Sequence, residues 1–120
     1  MVEKELMRKA VIDLGTNTFN LLIAEIHGGK LNYIHSEKIP VLLGMGGINE
    51  GFIADDAMDR AKLALHQFKL KCNEKSVELI QGIGTSALRG AKNAKDLIDY
   101  AKFELDIPIS IVSGQEEAKF

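Results

Sequence analysis

The chain has 120 residues, 46% of them hydrophobic and 27% charged, a balance that suits one soluble globular domain or part of one. A net charge of −2 and a pI near 5.9 leave no basic footprint for a nucleic acid polymer or an anionic membrane, so any bound polyanion must be held by local geometry. A single cysteine, Cys72, excludes an internal disulfide and fits a reducing compartment.

Met1–Lys9 carries charge of both signs, lacks the apolar centre of a secretory signal and reads as an N-terminal tail, so a cytoplasmic location is expected. Ala10–Leu14 is a short apolar run that ends in a polar turn, the pattern of a buried strand. Phe19–Ile26 is apolar on both alternating faces except at Asn20 and Glu25, which predicts a strand covered on both sides. His27-Gly28-Gly29-Lys30 then predicts a hairpin, and Leu31–Ile39 a third, partly exposed strand closed by Pro40.

Leu42–Gly51 is a glycine-rich loop without the Gly-Lys-Ser/Thr ending of a Walker A sequence. Beyond it, Met58, Ala61, Leu65, Phe68 and Cys72 recur at helical spacing, with Asp55 and Asp56 in the first turn and Lys69 and Lys71 near the end, as the helix dipole favours. Val77–Gly84 returns to a strand, followed by a short helical piece around Ala87–Arg89 that Gly90 breaks. Ala94, Leu97, Ala101 and Leu105 mark a further helix, and Ile109–Val112 a last strand. Ser113 opens a helix that the chain hardly begins, which reads as a piece of a longer protein. The order β-β-β-α-β-α-β implies an α/β fold with a mixed sheet of the ribonuclease H-like kind.

Three segments could carry chemistry. In Asp13-Leu14-Gly15-Thr16-Asn17-Thr18, Gly15 lets backbone N–H groups approach an anion, while Thr16, Asn17 and Thr18 add neutral donors. Asp13, expected to be buried at the strand end, suits a metal or the orientation of a nucleophile. The same residues also suit an ordinary hairpin. In Gly84-Thr85-Ser86-Ala87-Leu88-Arg89 a strand runs into small polar residues and a helix start, and Arg89 can clamp phosphate. The alternative is a helix N-cap by Thr85 or Ser86 with a solvated Arg89. In Ser113-Gly114-Gln115-Glu116-Glu117, Ser113 and Glu116 have capping-box spacing, which leaves Glu117 as the candidate general base or else as a first-turn residue serving the dipole. His27, His35 and His66 lack metal-ligand spacing.

Taken together and in this order, the segments Asp13–Thr18, Gly84–Arg89 and Ser113–Ala118 resemble the exopolyphosphatase / guanosine pentaphosphate phosphohydrolase (Ppx/GppA) family over roughly residues 10 to 120, and Met58-Asp59-Arg60-Ala61 fits more loosely. The resemblance implies membership of the actin-like and sugar-kinase-like ATPase superfamily. It implies that residues 10–120 are an incomplete first domain, with a second phosphate loop and a second domain lying elsewhere. It further implies Mg²⁺-dependent removal of terminal phosphate from inorganic polyphosphate or guanosine pentaphosphate. Gly15, Thr16, Asn17, Thr18, Thr85 and Ser86 would bind phosphate together with Arg89. Asp13 would hold the metal, and Glu117 would activate water. No membrane partner is expected, a homodimer of the parent protein is compatible with the family, and the isolated piece is expected to be inactive or nearly so. An ATP-using kinase or chaperone-like ATPase of the same superfamily shares the Asp-x-Gly-Thr turn, and a non-catalytic phosphate or nucleotide sensor on the same fold is a third reading.

Overall fold

The computed structural model describes residues 6–44 and 51–112. They form strands β1 (Leu6–Leu14), β2 (Thr18–His27) and β3 (Lys30–Pro40), helix α1 (Asp55–Glu74), strand β4 (Leu79–Gly84), helices α2 (Ser86–Gly90) and α3 (Ala94–Asp99), and strand β5 (Ile109–Ile111). A π-helical turn, Tyr100–Glu104, continues α3. The five strands make one sheet in the order β3-β2-β1-β4-β5. β1, β2 and β3 pair antiparallel, while β1, β4 and β5 run parallel, so the sheet is mixed, as the element order predicts.

The alternation in β1 and β2 decides what lies beneath. Ala10, Ile12 and Leu14 fall opposite Ile23, Leu21 and Phe19, and all six are buried on one face. Against that face α1 lays its predicted stripe of Met58, Ala61, Leu65, Phe68 and Cys72, every member buried. Phe68 is wholly enclosed, and truncating it to alanine would cost about 3–5 kcal/mol. Ala94, Leu97, Ala101 and Leu105 extend the same core. On α1, Asp55 and Asp56 occupy the first turn and Lys71 the last, so its charges complement the helix dipole.

The structure changes two expectations. β1 begins at Leu6 rather than Ala10, so Leu6–Lys9, read as tail, belong to the sheet. The cause is pairing and charge rather than an apolar pattern. Arg8 Nε and Nη2 lie 3.0 and 2.9 Å from Glu25 on β2, and Nη1 donates to the Lys75 carbonyl beyond α1 at 2.7 Å. The second change concerns β2. Among the described residues no layer covers the other face of the sheet, where Val11, Leu22 and Leu79 are 41%, 37% and 52% exposed.

The β2–β3 hairpin is as expected. Gly28 and Gly29 have φ of +60° and +81°, the left-handed pair of a tight hairpin turn whose twist matches that of its strands. A β-bulge between Ile23 and Ala24 shifts the β2–β3 register. Among the described residues no helix is long and apolar enough to cross a membrane.

Candidate active site

Because β1, β4 and β5 are parallel, their C-terminal ends share one edge of the sheet, and Leu14, Gly84 and Ile111 stand in one row across it. Each strand there runs into one of the segments singled out from the sequence. Ligands of open α/β sheets bind at such edges. Side chains and backbone tie the three ends together. The Thr85 hydroxyl donates to the Leu14 carbonyl at 3.2 Å, the Val112 N–H donates to the Gly84 carbonyl at 3.1 Å, and the Arg89 guanidinium donates through Nη1 to the Val112 carbonyl.

Thr85 occupies the N-cap position of α2 without making a side-chain cap. Its one hydroxyl proton is directed to Leu14, which leaves the oxygen as an acceptor only. Thr85 can therefore serve an anion through its backbone N–H but not through its hydroxyl in this arrangement. Arg89 is an exposed residue in the last turn of α2, yet its bond to Val112 holds it over the β5 end rather than loose in solvent. Ser86 opens α2.

The Gly15–Asn17 turn is tightly folded. A Cβ at Gly15 would lie 3.0 Å from the Thr18 carbonyl oxygen, so glycine is needed for close approach of the chain to itself. Behind the turn, the N–H groups of Val41 and Leu42 both donate to the Asn17 carbonyl at 2.9 Å, and that of Leu43 donates to the Thr16 carbonyl at 2.8 Å. Arg60 of α1 in turn binds the Val41 carbonyl through Nε at 2.7 Å and the Leu42 carbonyl through Nη2 at 3.3 Å. Nearby, Asn93 holds Ile53 by both backbone groups, at 2.8 and 2.9 Å. Neither clamp leaves a periodic signal in the sequence, since each acts on backbone groups distant in the chain.

Asp13 is not buried. With Ile12 and Leu14 on the core face, alternation sends Asp13 to the opposite face, where it is exposed. Its cross-strand neighbour is Asn20, whose Oδ1 is buried without a hydrogen-bond partner among the described residues. Among those residues no cluster of three or more His, Cys, Asp or Glu could hold a metal by itself. His35 pairs with Glu37 at 2.9 Å and His66 is exposed on α1, neither of them at this edge. Ser113–Glu117, with the candidate base Glu117, lies outside the described residues, as does the side chain of Ser86. Cys72 sits in the core, where burial pushes its thiol up to about 11.

Fold and edge together define an α/β domain of the ribonuclease H-like, actin-like ATPase kind, with its loops gathered at the ends of the parallel strands. The model of the Ppx/GppA phosphatase family matches residues 22–120, and the chain belongs to that family. Among solved structures, an exopolyphosphatase from Cytophaga hutchinsonii is 42% identical with a TM-score of 0.90, over 94% of this chain and 36% of that one. The Aquifex aeolicus member of the Ppx/GppA family is 29% identical with a TM-score of 0.87, over 93% of this chain and 37% of that one. The chain thus spans little more than a third of the length of these relatives. The RuvC of Thermus thermophilus, at 14% identity and a TM-score of 0.52, is similar in fold alone.

Proposed function

We propose that the protein to which this chain belongs is a hydrolase that removes terminal phosphate from inorganic polyphosphate, from guanosine pentaphosphate, or from both. The observation that carries this reading is the row Leu14, Gly84 and Ile111, which brings the Asp13–Thr18 turn, the Thr85–Arg89 turn and the strand leading to Ser113–Glu117 to one edge. Family membership and the likeness to an exopolyphosphatase support it.

In this reading the turn N–H groups and the Arg89 guanidinium neutralise the phosphate oxygens, the main requirement of phosphoryl transfer. A water oxygen attacks the terminal phosphorus, its proton passes to the Glu117 carboxylate, and the bond to the bridging oxygen breaks, leaving a chain shorter by one phosphate. Mg²⁺ would add charge neutralisation at the phosphates when bound. Oxygen donors suit it, and it needs few from the protein when phosphates supply others, so the Asp13 carboxylate beside the Asn20 Oδ1, which has no hydrogen-bond partner among the described residues, fits such an ion. Backbone N–H groups carry the phosphate contacts of Thr16–Thr18 and of Thr85–Ser86.

The test is phosphate release from polyphosphate and from guanosine pentaphosphate by the protein in its full natural length, with Mg²⁺ and after chelation. Release should require Mg²⁺, and Glu117→Gln should lower kcat by about 10²–10⁴-fold while polyphosphate binding persists. Absence of release from both substrates by the unmodified protein would sink the reading. The 120-residue chain alone should show little or no turnover, because the family's second phosphate loop is not among its segments.

A further inference from the structure

We propose that Arg60 is a positioning residue that sets the direction of the Asn17 and Thr18 N–H groups in the phosphate turn; the inference rests on the reading that this turn receives phosphate. In a trans peptide the C=O and N–H point in opposite directions, and the described chain has no cis bonds. The Thr16 carbonyl shares its plane with the Asn17 N–H, and the Asn17 carbonyl with the Thr18 N–H. Both carbonyls are drawn to the Val41–Leu43 strap, at 2.8 to 2.9 Å. The two N–H groups are thereby aimed at the other side of the turn.

That strap is not held by its own geometry. Leu42, whose N–H shares the Asn17 oxygen with that of Val41, adopts φ of +56°, a left-handed conformation that residues with a side chain rarely take. Arg60 binds the carbonyls of Val41 and Leu42, at 2.7 and 3.3 Å, and so brackets the strained residue. Asp56, one helical turn earlier, steadies the guanidinium at 3.3 Å. Buried Val41 and Leu43 anchor the strap in the core, and α1 is fixed there by Met58, Ala61 and Leu65. The orientation of the turn is thus referred to the most deeply packed helix through one planar fork, which a lysine cannot reproduce with a single nitrogen.

The experiment compares the full-length protein with its Arg60→Lys and Arg60→Ala variants, reading turnover of polyphosphate and amide hydrogen exchange in peptides covering residues 14–19 and 40–44. In Arg60→Ala both peptides should exchange faster, and kcat/KM should fall by about ten- to a hundredfold, with Arg60→Lys intermediate in each. If Arg60→Ala does not fold, Arg60→Lys carries the test. A folded variant with a lower melting temperature but unchanged exchange in residues 14–19 and unchanged kcat/KM would overturn the inference and leave Arg60 a stabilising residue only. Should the unmodified protein release no phosphate, the proposed function fails by itself. Exchange in residues 14–19 then decides about Arg60, faster exchange supporting it and unchanged exchange overturning it.

Discussion

The Thr85 hydroxyl reaches the Leu14 carbonyl across 71 residues of chain, joining the end of β4 to the end of β1 at 3.2 Å. Replacing Thr85 with valine keeps the shape and removes the donor, leaving a half-enclosed carbonyl without its partner. Stability should fall by about 1 kcal/mol, and Thr85→Ser should recover most of it. Urea unfolding monitored by circular dichroism would show this as a lower midpoint for valine alone. Equal midpoints for all three proteins would mean that water satisfies Leu14 as well as Thr85 does.

Gly15 offers a sharper perturbation. The Cβ of an alanine there would press on the Thr18 carbonyl at 3.0 Å, and that neighbour is backbone, which cannot rotate aside. Gly15→Ala should therefore cost about 1–3 kcal/mol through displacement of the turn. In the full-length protein it should also raise KM for polyphosphate. A variant with unchanged unfolding midpoint and unchanged KM would show that the turn has slack.

Arg89 is expected to do two things with one side chain, holding the Val112 carbonyl and meeting phosphate. Arg89→Gln should lower kcat/KM by about ten- to a hundredfold, the worth of a hydrogen bond to a charged group. Arg89→Lys should do better than glutamine because it retains charge, yet fall short of arginine because it cannot serve both partners from a planar fork. Steady-state kinetics on the three proteins would reveal the order. Equal rates for lysine and glutamine would mean that the positive charge is unimportant.

Cys72 makes a pH prediction remote from the edge. Burial raises the thiol from 9.0 to about 11, with nearby Lys69 acting in the opposite direction. Above pH 9 the unfolded chain loses this proton while the folded chain keeps it, so folding is opposed as pH rises. The contribution is fully present below about 9 and is lost progressively toward 11. Thermal melts across that window should decline more steeply for the natural protein than for Cys72→Ala, once the alanine protein's lower starting stability is subtracted. Below pH 9 the native thiol should also resist alkylation by iodoacetamide.

The fold was readable because its determinants are periodic. The stripe from Met58 to Cys72 and the paired glycines at 28 and 29 each correspond to one local geometry, and both formed as expected. Leu6–Lys9 escaped because they are ordered by an ion pair with Glu25, seventeen residues from Arg8, which leaves no trace in local hydropathy. The candidate edge was half legible. Segments after three strand ends could be marked from sequence, and parallel pairing then placed those ends together. The burial expected of Asp13 did not follow, because the alternation that buries Ile12 and Leu14 directs the residue between them to the opposite face. Arg60 was marked only loosely, within Met58–Ala61, and its clamp, like that of Asn93, could not be read, since both recognise backbone carbonyl or amide groups, which every sequence contains.

The hairpin at Gly28–Gly29 has a practical use. It closes β2 and β3 at the end of the sheet away from the Gly15–Asn17 turn, with all of β2 between them, a span of about 30 Å at the usual rise per residue. The tip is open, with nothing within 4 Å of where a side chain would start at either glycine, although their left-handed φ favours glycine at both positions. A fluorophore or affinity handle grafted into this tip would report on the molecule or immobilise it from a distance. The edge where the parallel strands end would stay unobstructed.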